Sequence, residues 1–398
     1  MTSDIVVSER QLEAQHPASR GRPLGFACMP FEVPLTRSPQ EWVNDVRRGL
    51  EQMATVSNIR IDVAPEHLPE PPDDGEDDGE PVHDNYRDSF WVEPVFGAIA
   101  FDVHIPVRLQ KDILADGVVI RRRVGAEQFR VSTVYGFEGP CTFIWVLDEV
   151  DPSDVDVSGA VILVHRFMSK ELERGATGVR MARVGPSPFH MNAVLCAAGE
   201  PQEEEIAVVR LAMYGYESVE FRYDPDLFDS IEEAAAALEG ALSSQLCLYY
   251  WLVRMKNQHA KSIGDLAQKT QNLVKFHSQG GVGGWLTRLF RTSGEARKLG
   301  LLALGARTTE AEQARGAAAA IKTVLAQSDT VPAFEPYLHE LAEVDNEASI
   351  SNAREVVQFV EAGRRSEFEV LMISAATVLG GVAGGVVGFI ATSAAGGT

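Results

Sequence analysis

The sequence predicts an α+β protein: a mostly antiparallel β-rich domain, then a long-helix, stalk-like helical region, then one C-terminal transmembrane helix. Three observations predict it. Short runs rich in Val, Ile and aromatics fill residues 90–223, punctuated by Gly, Pro, Asp and Ser. A proline-free stretch with helical spacing runs from Ile231 to about Phe276. From Val370 the chain carries no charged side chain to its last residue, Thr398.

The 398 residues divide into five parts. Residues 1–62 form an N-terminal segment with one helix, roughly Pro39 to Met53, on which Trp42, Val46 and Leu50 share a face. Its first fifteen residues hold Asp4, Glu9 and Glu13 and no apolar run, so no signal peptide is expected and the bulk of the chain is placed in the cytoplasm. Residues 63–89 read as an acidic, proline-rich linker or exposed loop, because prolines and carboxylates there leave little to bury.

In the α+β domain, 90–223, strands are expected at Ala98–Val107, Phe129–Tyr135, Thr142–Leu147, Ala160–Phe167, His190–Ala197, Ile206–Met213 and Ser218–Tyr223. A short helix is expected around Ser169 to Arg174. The helical region, 224–368, opens on Ser230-Ile-Glu-Glu233, a capping-box pattern. Leu242, Leu246, Tyr249, Val253, Ala260 and Ile263 then follow a heptad-like spacing, the signature of a coiled-coil seam. Further helices are expected at Glu310–Gln327 and Ile350–Gly363.

Residues 369–398 carry the expected span. Val370 to Ala395 exceeds the roughly 20 apolar residues that cross a bilayer as a helix. Arg364 and Arg365 precede it, on the side that basic residues mark as cytoplasmic. Gly380, Gly381, Gly384, Gly385 and Gly388 overlap in small-xxx-small patterns, the arrangement that lets membrane helices pack closely. The expectation is therefore a single-pass, tail-anchored membrane protein whose glycine-rich helix oligomerises.

The net charge of −21 excludes a general nucleic-acid binder, which needs a basic face for phosphate. Charge is nevertheless segregated, since Arg254 to Arg307 holds ten basic residues against two acids. Such a belt suits anionic headgroups or the protein's own acidic surface. Within it Trp285, Arg288, Phe290 and Arg291 have the pattern of an interfacial helix, or of any surface helix laid over a core.

Catalytic patterns are missing. There is no Gly-x-Ser-x-Gly, no His-Glu-x-x-His and no phosphate loop, and Cys28, Cys141, Cys196 and Cys247 are too scattered for a zinc or redox motif. His104, His165 and His190 fall in expected strands and could meet in space as a metal or catalytic cluster, although a lone strand histidine is more often satisfied locally. No catalytic residue, cofactor or metal is assigned. The leading reading is a membrane-anchored sensor/effector, in its strongest form a pore former, with a homo-oligomeric span and a small-molecule or protein ligand of the α+β domain. The competing reading is a membrane-tethered enzyme with its active site in the β-rich domain.

Overall fold

The computed structural model describes residues 21–34, 39–63, 86–87, 97–115, 124–136, 138–175, 177–182, 192–200, 205–213, 216–278, 281, 292–327, 331, 333–343, 346–363, 365–366, 368–369 and 372–373. The chain forms two compact units. One comprises Met1–Arg254 and Ala320–His339, the other Met255–Ala319 and Glu340–Thr398.

The first unit is an α+β fold. Its main sheet has eight strands: β1 (Arg22–Ala27), β3 (Val56–Val63), β5 (Gly97–His104), β6 (Gln128–Gly136), β7 (Gly139–Val146), β9 (Asn192–Ala197), β10 (Ile206–Met213) and β11 (Tyr216–Tyr223). Their order is β10-β11-β9-β1-β7-β6-β5-β3, and every pairing is antiparallel except β11 with β9. A small sheet joins β2 (Phe31–Pro34) to β4 (Tyr86–Arg87) and β8 (Arg180–Met181). The N-terminal segment supplies β1 at the centre of the main sheet and β3 at one edge.

Alternation along the strands gives the main sheet two buried faces. One packs beneath the helices α1 (Pro39–Glu51) and α3 (Val157–Arg174), with α2 (Val107–Leu114) against α3. Trp42, Val46 and Leu50 of α1, as spaced in sequence, join Ile99, Phe101, Phe129, Val131 and Ile144 in that core. Gly25 of β1 lies beneath α3, where an added Cβ would stand 2.7 Å from Val161 Cγ2. The opposite face carries Leu24, Phe26, Phe143 and Trp145, all buried.

The expected strand Ala160–Phe167 is helical. Asp156 starts α3 by accepting from the Gly159 N–H at 2.8 Å, and apolar residues buried round most of the helix blur its period. Val and Ile then read as β, a weak local preference that burial overrides.

A 47-residue helix, α4 (Ile231–His277), follows the sheet. Its start is capped as the sequence implies: Ser230 Oγ accepts from the Glu233 N–H at 3.2 Å, and Glu233 accepts from the Asp229 N–H at 2.9 Å. In the first unit Leu238, Leu242, Leu246 and Tyr250 are fully buried. Of the heptad-like series, Leu242, Leu246, Tyr249 and Val253 are buried against their own chain, whereas Ala260 is exposed and Ile263 half-buried, so its first four positions form an intrachain packing face and not a coiled-coil seam. Residues preceding α6 (Glu335–Ala342) close this unit: Gln245 donates to the Val331 carbonyl and accepts from the Phe334 N–H.

The second unit is helical. The later parts of α4, α5 (Thr292–Leu325) and a helix over residues 347–363, here α7, meet in a small core. Leu266 and Leu273 face Ala296, Leu299 and Ala303, with Ile350, Ala353 and Val360 completing it.

Among the described residues no helix is long and apolar enough to cross a membrane. This corrects the expected transmembrane, single-pass, tail-anchored character and the membrane localisation. The apolar turns of α4 that end at Val253 give way to Arg254, Lys256 and Lys261, and Leu299–Ala306 of α5 is bracketed by Lys298 and Arg307. Of the expected span Val370–Ala395, only Met372 and Ile373 are described.

Candidate functional site

Each unit holds one arrangement of side chains that could receive a ligand or partner. In the α+β unit it is a polar cluster around Glu239 of α4. The carboxylate accepts from Trp145 Nε1 at 2.6 Å and from Ser132 Oγ at 2.8 Å. Burial pushes the Glu239 carboxyl above the ordinary carboxylate range; the two hydrogen bonds and the Arg130 charge pull the other way without overcoming it. Arg130 in turn grips Asp102 with Nε at 2.8 Å and one terminal nitrogen at 3.2 Å. Asn58, held at φ +53°, adds a 2.7 Å hydrogen bond to the same carboxylate.

Three of the cysteines lie close by. Cys141 Sγ donates to the Ser243 carbonyl at 3.7 Å and Cys28 Sγ to the Pro140 carbonyl at 3.1 Å, and burial pushes the Cys141 thiol well up. Such thiols are inert packing groups, since the reactive form is the thiolate. Among the described residues no group of three or more His, Cys, Asp or Glu is placed to hold a metal ion. His104, on β5, stands 3.6 Å from Glu127, and His165, on α3, meets Ser169 Oγ at 3.4 Å. The two histidines therefore serve separate elements, and His190 lies outside the described residues. The cluster pins α4 to the sheet in one register: the indole N–H and the hydroxyl are satisfied only when Glu239 sits over them.

In the helical unit the arrangement is a groove of about 460 Å³ between the last turns of α4 and α7. Val274, His277 and Ser278 form one wall; Asn352, Glu355, Val356, Phe359 and Val360, spaced to share a helix face, form the other. The His277 and Phe359 rings meet edge to face with centroids 5.4 Å apart. Gly363 makes this approach possible, since an added Cβ would stand 3.3 Å from His277 Cε1. Among the described residues His277 Nδ1, which is buried, has no hydrogen-bond partner. Phe359 remains 66% exposed and Val274 47% exposed.

Comparison with known protein families, curated proteins and solved structures finds no match. The groove and the Glu239 cluster therefore stand on their own geometry.

The sequence directed attention elsewhere. Gly380, Gly381, Gly384, Gly385 and Gly388, with Trp285, Arg288, Phe290, Arg291 and Arg364, lie outside the described residues. Arg365 is helical and exposed, just beyond α7. The groove residues went unmarked because Val356, Phe359 and Val360 look like the core face of any amphipathic helix. Only the neighbouring helix reveals that Phe359 overshoots the core.

Proposed function

We propose that this chain is a non-catalytic sensor/effector: the α+β unit receives a small-molecule or protein ligand, and the helical unit acts by associating with further copies of itself. One observation carries the reading. Of the ten large apolar side chains exposed among the described residues, eight belong to the helical unit: Val274, Leu301, Leu302, Leu304, Phe359, Phe368, Met372 and Ile373. Its core, by contrast, is small and alanine-rich. Each large apolar side chain moved from water into an interface is worth about 1.5–3 kcal/mol, so a surface of this kind favours association. Both α4 and α5 contribute residues to each unit, so a change at the sheet face of α4 occurs on the same helix that ends at the groove.

The test is exchange between labelled copies. Full-length protein labelled in two batches with donor and acceptor dyes is expected to show energy transfer on mixing, and excess unlabelled protein to abolish it. Absence of transfer at micromolar concentration would overturn the reading.

A further inference from the structure

Resting on the self-association reading above, we infer that two copies pair antiparallel through the outer face of α5, with Leu304 of each against Leu304 of the other and Lys298 of each against Glu312 of the other. α5 is one continuous helix from Thr292 to Leu325. Its inner face is fixed by Ala296, Leu299 and Ala303, which are buried in the core of the helical unit. At about 100° per residue, Leu301, Thr308 and Glu312 fall within roughly 20° of one direction, nearly opposite that inner face. Lys298 and Gly305 flank this line on one side and Leu304 on the other, each within about 60° of it. All six are exposed, Leu301 and Leu304 by 61% and 62%.

Charge identifies the occupant. Lys298 and Glu312 lie fourteen residues apart, about 21 Å along the axis, so they cannot meet within one helix. A second α5, reversed about a two-fold axis between Leu304 and Gly305, brings each Lys298 beside the partner's Glu312, and does so twice. The same operation lays Leu301 on the partner's Thr308, Leu304 on Leu304 and Gly305 on Gly305. This is the self-complementary contact of a closed dimer. A Cβ added at Gly305 would meet nothing of its own chain within 4 Å, so the bare backbone there is open to close approach. Lys298 already stands 3.2 Å from Glu295 one turn away, an exposed pair that leaves ammonium donors for a second carboxylate. A foreign partner would have to bring an acid and a base at this spacing; a second copy carries both.

The test uses the full chain and positions that face away from its own core, so the variants keep their fold. Leu304→Glu sets two like charges at the axis and removes two apolar contacts; it is expected to weaken the dimer at least roughly tenfold. Lys298→Glu or Glu312→Lys alone is expected to weaken it several-fold, and the double exchange to recover most of the loss. Gly305→Cys places two thiols at the dyad, whereas Ala318→Cys places them about 20 Å further along each helix. The native cysteines are buried and leave a clean background. Under diamide, Gly305→Cys is expected to give a covalent dimer on reducing-agent-free gels and Ala318→Cys is not. An oligomer unchanged by Leu304→Glu, not rescued by the double exchange, or not cross-linked through Gly305→Cys would overturn this pairing while leaving self-association intact. A wild-type chain that stays monomeric would overturn both.

Discussion

Glu239 is the residue at which burial and hydrogen bonding oppose each other most directly. Because its carboxyl titrates above the ordinary range, the folded α+β unit keeps a proton that the unfolded chain has already released. The resulting stability is fully present below the ordinary carboxylate pKa, about 4.3, and is lost as pH rises through the raised folded value. Glu239→Gln removes the charge and keeps one acceptor for Trp145 or Ser132. Its denaturant midpoint is expected to vary less than wild type's above pH ~4.5 and to match or exceed it at pH 7. Superimposable pH profiles would contradict this account. Glu239→Leu leaves the Trp145 N–H and the Ser132 hydroxyl without their acceptor and is expected to lose about 1–3 kcal/mol.

At the scale of elements, close approach decides what substitution does. Gly25→Ala drives a methyl to within 2.7 Å of a branched Val161 carbon, and neither the central strand nor α3 yields easily. A loss of about 1–3 kcal/mol is expected in thermal or chemical denaturation. Leu246 is the companion case. Its heptad-like neighbours suggested a seam between chains, but it is fully buried in its own unit. Leu246→Asp is therefore expected to unfold the α+β unit, seen as loss of near-ultraviolet circular dichroism, and not to release folded monomers. Helices and strands were legible where a period was clean: α1, α4 and six of the seven expected strands appear close to their sequence positions. The exception, α3, is buried round most of its circumference, so no wet face marks its turn. β1 and β3 escaped notice for a related reason. The short apolar run Leu24–Ala27 carries no polar alternation, because both faces of the sheet are covered there. The candidate site was less legible than the fold, since which side of Phe359 faces water depends on where α4 ends.

For the whole molecule, the charge pattern and the apolar surface point the same way. A chain of net charge −21 resists indiscriminate aggregation, so its exposed Leu, Phe, Met and Ile favour a defined contact over general stickiness. The bilayer reading rested instead on Val370–Ala395, of which only Met372 and Ile373 are described, and the described helices keep charges at intervals too short for a span. The most direct measurement is the mass of the full chain by sedimentation equilibrium across a wide concentration range. The account predicts a reversible rise above 43.4 kDa as concentration increases. A mass fixed at 43.4 kDa up to about 100 µM would mean association weaker than roughly 5.5 kcal/mol, and would contradict it.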